Sequence, residues 1–175
     1  KDETIDRDAS WAAKLQALEV IYSFGRSEAR QRAFERFRAA EGKGLEDFAF
    51  WCALREKYGE VFPEEFAHPD TPQASRERRD LAGRVDFYAW LQWIIDAQLS
   101  EAQRDAVESG MELGIFHDLA VGVHRMGSDV WSLPRAFAQG VAVGAPPDMY
   151  NQHGQDWSQP PWRPDALRDM AFAPL

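Results

Sequence analysis

The sequence predicts an α/β chain, mostly α-helical with a few short strands, and three observations carry that prediction. The composition divides near Gly110: residues 1–110 hold 38 charged residues and 9 Pro plus Gly, whereas residues 111–175 hold 11 and 13. In the first part apolar residues recur at helical spacing. In the second, an apolar and partly β-branched run from Leu113 to Val123 follows the strongest helical pattern. A long helix feeding such a strand is the αβ step of a parallel α/β fold.

The first helix is predicted from Asp8 or Ser10 to about Ser23, with Trp11, Leu15, Leu18 and Tyr22 on one face and Gly25 as its stop. Ser27 is an N-cap residue for the second, Glu28 favours its first turn, and Phe34 and Phe37 mark its buried side. Gly42 and Gly44 end it. A third runs from Leu45 to Tyr58 with Phe48, Trp51 and Cys52 inward, closed by Gly59. Pro63, Pro69 and Pro72 make residues 60–75 a connector, and the charged stretch Arg76–Asp80 leads into a helix over Val85–Ser109. That helix places Phe87, Leu91, Ile94, Ile95 and Ala102 on its apolar side and stops at Gly110.

Beyond it, Leu113–Val123 reads as a strand interrupted by His117-Asp118, and Gly122–Gly127 as the loop after it. Ser128–Trp131 reads as a helical turn with Ser128 as N-cap. Gly140–Asp148 carries too much Pro and Gly for a long strand. Tyr150–Pro164 has the composition of an ordered loop.

The net charge of −9 argues against a nucleic-acid backbone as partner, since phosphate binding needs a basic face. No apolar run reaches the ~18 residues that span a membrane. A single cysteine, Cys52, allows no internal disulfide and fits a reducing compartment. Lys1-Asp2-Glu3 leads into no apolar segment, so no signal peptide is expected. With no initiator Met, the chain is read as starting inside something longer or as processed.

His117-Asp118 does not make a metal site by pattern. The four histidines, His68, His117, His124 and His153, show no i, i+3 or i, i+4 pairing and no His-Glu-x-x-His. A carboxylate inside an apolar strand is costly unless it is paired, so Asp118 is expected to point from the strand's end into a cleft. Trp157, flanked by Gln155 and Asp156 and followed by Pro160-Pro161-Trp162, has the flat apolar plate and in-plane polar groups that suit a sugar ring. The same Trp would also serve to anchor a long loop, and the residues alone leave both readings open. The helix aromatics Trp11, Phe34, Phe37, Trp51, Trp90 and Trp93 read as core, and Cys52 as a buried inert thiol. Phosphate-cradling glycine motifs are absent.

The string Gly110-Met-x-Leu-Gly-x-x-x-Asp-Leu-Ala-Val-Gly-Val123 resembles the amylomaltases, the 4-α-glucanotransferases of the α-amylase clan. Four further pieces agree in order: Phe87-Tyr-x-Trp-Leu-Gln-Trp93, Gly127-x-Asp-x-Trp131, Val143-Gly-Ala-Pro-Pro-Asp148, and Gly154-Gln-Asp-Trp157 with Pro160-Pro-Trp162. Leu45–Leu54 is similar to the family's helical segment. The resemblance implies a (β/α)8 barrel with a large helical insertion, residues 1–82 belonging to the insertion and 83–175 to the early barrel. It implies transfer of α-1,4-glucan segments between maltooligosaccharides by a retaining double displacement, with no cofactor and no metal, in the cytoplasm. The family's Arg-x-Asp-His nucleophile motif and its later acid/base motif are not in the sequence. The chain is therefore read as an internal fragment, with no catalytic residue of its own and the remainder of its barrel as partner. Carried over by position, Asp118 resembles a cleft residue that orders the catalytic carboxylates. Gln155 and Trp157 resemble a mobile loop contacting glucose units, and Asp148 a turn residue that sets that loop. A non-catalytic helical interaction module and a carbohydrate-binding module are the alternatives.

Overall fold

The computed structural model describes residues 4–174. Lys1–Glu3, read above for a leader, and the closing Leu175 lie outside them. Among the described residues there are six α-helices and two strands: α1 (Arg7–Ser23), α2 (Glu28–Tyr58), α3 (Pro72–Asp80), α4 (Ala82–Glu108), α5 (Ser128–Ser132), β1 (Val143–Ala145), β2 (Gln155–Gln159) and α6 (Pro164–Asp169). The mostly helical character with few strands is as the sequence predicts.

The caps explain most boundaries. Asp6 caps α1 by accepting from Ala9 N at 2.9 Å, and Ser27 caps α2 by accepting from Arg30 N at 3.4 Å. The second and third helices expected from the sequence are the two arms of α2, joined at a kink where Gly42 takes φ 60°, ψ −138°. Only glycine adopts that backbone readily, so the break sits where the sequence places it, although the helix resumes at once and Gly44 lies inside the second arm. The connector expected over residues 60–75 is shorter than its three prolines imply. Pro72 stands at the first turn of α3, and Thr71 caps that helix by accepting from Ala74 N at 3.0 Å.

The core lies between α2 and α4 and is largely aromatic. Phe34, Phe50, Leu54 and Phe87 are fully buried, with Trp90 and Trp93 close behind. Each such side chain contributes roughly 1.5–3 kcal/mol on burial. Helix α1 docks through Leu15, Leu18 and Tyr22, whose ring meets Phe87 edge-on at 5.2 Å. Trp11, expected in this core, is instead 53% exposed, because α1 touches the body only along its C-terminal half. Phe48, Trp51 and Cys52 are half-buried rather than central; Phe50 and Leu54 take the central places on that arm.

Charged groups close the rim. Asp86 accepts from Tyr22 Oη (2.6 Å), Arg26 Nη2 (2.9 Å) and Arg38 Nη1 (3.0 Å), which ties α1, α2 and α4 together. Asp47, 4% exposed, is clamped by Lys43 Nζ at 2.5 Å and Arg78 Nη2 at 2.6 Å. A buried carboxylate needs such partners.

The strand expected over Leu113–Val123 does not form. The segment is irregular, and Leu113, Phe116, Leu119 and Val121 are exposed. A strand exists only where neighbours accept and donate along its length, and no described residue pairs with this one. In place of the expected loop at 150–164, β2 pairs antiparallel with β1. Gly127, not Ser128, caps α5.

The loop half is joined to the helical core by Trp131. Its ring lies 5.9 Å from Phe50 and 6.1 Å from Phe62, and its Nε1 donates to Phe66 O at 2.7 Å. Trp131→Ala is expected to lower unfolding free energy by about 3–5 kcal/mol. Trp131→Phe, which keeps a ring but orphans the Phe66 carbonyl, should cost about 1–2 kcal/mol. Denaturant unfolding of the two variants checks both values.

Candidate functional site

The sequence-predicted residues fall on two pieces of chain. Asp118 lies on the irregular exposed segment, not at a strand's end. Asp148, Gln155 and Trp157 belong to the β1–β2 hairpin and its turn.

The hairpin is built from local chemistry. Asp148 Oδ1 accepts from Tyr150 N at 2.8 Å and Asn151 N at 2.7 Å, while Asp148 N and Gly154 N both donate to Asn151 O. Asp148 thus spends its carboxylate on the turn. The strands pair Ala145 with Gln155, Gly144 with Asp156 and Val143 with Gln159. One step on β1 is matched by three on β2, so Trp157 and Ser158 form a bulge. Ser158 sits at φ 56°, and Asp156 Oδ1 holds that turn by accepting from Ser158 N at 2.7 Å. Bulges re-aim side chains, and this one turns out the 43%-exposed Trp157. The indole Nε1 donates to Gln155 Oε1 at 3.1 Å, so plate and amide form one unit.

Gly144 is needed for this arrangement. A Cβ at that position would lie only 2.0 Å from Gln155 O. The hairpin's base is pinned by Phe137 and Trp162, whose rings stack at 4.2 Å, and by Ala138 N donating to Pro161 O and Arg163 N to Ala136 O.

A cleft of about 610 Å³ runs along the hairpin, with Arg125, Gln139, Asp156 and Ser158 among its polar walls. Chemically, the hairpin offers an indole face, an amide and carboxylates, the kinds of group that suit a polyhydroxylated ring. Sequence reasoning missed Ser158 and Gln159. The alternation of Asp156 and Ser158 is a signal for a side-chain-capped turn, but nothing local announces a two-residue bulge.

No group of three or more His, Cys, Asp or Glu placed to hold a metal occurs among the described residues, and no described helix is long and apolar enough to cross a membrane. Burial, reinforced by the Glu56 charge, pushes the Cys52 thiol up to about 12. The thiol is therefore protonated at neutral pH, in keeping with the inert role read from its helix position.

The family model described as 4-alpha-glucanotransferase matches residues 1–175. The chain belongs to the 4-alpha-glucanotransferase family. It is 51% identical over 176 residues to the 4-alpha-glucanotransferase of Mycobacterium tuberculosis, covering 99% of this chain and 24% of that protein. The amylomaltase of Corynebacterium glutamicum superposes with a TM-score of 0.81 at 45% identity, over 97% of this chain and 23% of the other. The amylomaltase of Streptococcus agalactiae, solved in complex with acarbose, superposes with a TM-score of 0.85 at 22% identity, over 99% and 37%; at that identity the likeness speaks for the fold alone. The chain thus spans about a quarter of the length of the curated relatives it matches.

Ellman's reagent at pH 8 should label Cys52 at least tenfold more slowly in the native protein than in denaturant, because burial holds the thiol protonated. Following absorbance in both states tests this.

Proposed function

We propose that this chain is part of a 4-α-glucanotransferase that moves α-1,4-glucan segments between maltooligosaccharides by a retaining double displacement. Residues 1–82 would form its helical insertion and 83–175 the start of a (β/α)8 catalytic barrel. The observation that carries the reading is the bulge that turns Trp157 outward with its indole N–H tied to Gln155, in a chain of this family. In the proposed mechanism a carboxylate from elsewhere in the protein attacks the anomeric carbon. A second carboxyl group protonates the leaving sugar and then takes the acceptor's proton.

The residues of this chain act around that chemistry. Trp157 supplies the plate for a glucose ring and Gln155 a hydrogen-bonding amide beside it. Asp148 fixes the turn that carries them. Asp118 orders the catalytic carboxylates from its own segment. The exposed apolar line Leu113, Phe116, Leu119 and Val121 supports a place for that segment against the remainder of the barrel, where it would gain its strand partners. No cofactor is required, and a cytoplasmic setting suits the single, unpaired cysteine.

The deciding experiment is maltotriose disproportionation by the full-length protein, read as glucose release and longer oligosaccharides. Absence of both rejects the transferase reading in favour of a binding module. The 175-residue chain by itself should show no disproportionation.

Two substitutions probe the roles. Asp118→Asn in the full-length enzyme should cut turnover by about tenfold or more with an unchanged melting point. Trp157→Ala should weaken acceptor binding about tenfold, equivalent to roughly 1–2 kcal/mol of stacking, and shift product from transfer toward hydrolysis. An unchanged ratio with a lowered melting point would make Trp157 a loop anchor only.

A further inference from the structure

The Trp157 bulge is useful only if its aim is fixed. On the β1 side the backbone fixes it, through the close approach of Gly144 to Gln155 O. On the other side the first regular residue after the bulge is Gln159, paired with Val143. Its Oε1 is buried and has no hydrogen-bond partner among the described residues. Such an arrangement is costly and persists only when packing holds the side chain in place.

Gly122 contributes to that packing. A Cβ at residue 122 would sit 2.8 Å from Gln159 Oε1, 3.2 Å from its Cβ and 3.3 Å from its Cδ. No larger side chain fits without moving Gln159, and the two bulge residues lie directly before it. Gly122 is in turn four residues beyond Asp118. The contact therefore bridges the two pieces of chain on which the candidate site residues lie.

We propose that Gln159 seated on Gly122 is a positioning contact: it sets the aim of Trp157 relative to the Asp118 segment and thereby the partition between transfer to a sugar acceptor and hydrolysis. The catalytic half of this inference rests on the glucanotransferase reading above. Neither residue needs to touch substrate. Displacing Gln159 would rotate the bulge, loosen the acceptor side and admit water as a competing nucleophile.

The test uses the full-length enzyme labelled with 5-fluorotryptophan, with the Trp157 resonance assigned by its loss in Trp157→Phe. Gly122→Val should shift or broaden that resonance, raise the acceptor KM and lower the transfer-to-hydrolysis ratio about tenfold, while donor cleavage stays within twofold. Gln159→Ala should lower the ratio about threefold. In Gly122→Val/Gln159→Ala the small residue makes room for the valine, so the ratio should recover to that of Gln159→Ala. An unmoved Trp157 resonance in folded, active variants, or losses that multiply in the double variant, would overturn the positioning contact. If Gly122→Val fails to fold, Gly122→Ala with Gln159→Ala gives the same readings at smaller amplitude. A parent enzyme without any transferase activity would overturn the functional reading instead, and the fluorine resonance would still decide whether the contact aims Trp157.

Discussion

Trp131 comes from the loop half of the chain and ends in the helical core, and the rest of the molecule is arranged around that insertion. Its ring fills the space between Phe50 and Phe62, and its N–H satisfies the Phe66 carbonyl. Around it α2 and α4 supply the apolar mass. Beyond it, the short turn after α5 leads to Ala136 and Phe137, the buried foot of the hairpin. The peg is the main apolar link that fixes the hairpin segment against the helices.

The core itself is an unusual use of a charged sequence. Several of its aromatic rings are covered by arginines rather than by aliphatic side chains. Arg26 lies over Phe34 at 4.6 Å, Arg78 over Phe50 at 4.6 Å and Arg84 over Phe87 at 4.5 Å. A guanidinium plane gives a ring favourable electrostatics on one side and leaves its own edges free for carboxylates. Arg26 and Arg78 use those edges on Asp86 and Asp47, and Arg84 uses its own on Glu19 and Glu56. The helical half therefore buries much of its aromatic surface beneath paired charges.

The hairpin follows different rules. It has little apolar support, and its geometry is set by backbone approach, side-chain-to-backbone hydrogen bonds and one bulge. Such a structure is precise but weakly stabilised. The irregular Asp118 segment beside it is the opposite case: its apolar residues are exposed, and it contacts the hairpin where Gly122 meets Gln159.

The sequence by itself determined α1, α2 and α4, because their caps and stops are local: Ser27, Gly59 and Gly110 act through their own backbone and nearest neighbours. It also determined the break at Gly42, the polar and aromatic chemistry of residues 148–157, and the family, through five motifs in order. Only the tertiary structure decided which aromatics became core, since Trp11 and Phe34 look alike by spacing and differ by which part of each helix meets α4. It decided that Leu113–Val123 is not a strand here, because a strand depends on partners that no pattern within the segment supplies. It decided, too, that Trp157 sits in a bulge, because that conformation arises from register between two strands, a relation between distant residues that neither strand's sequence contains.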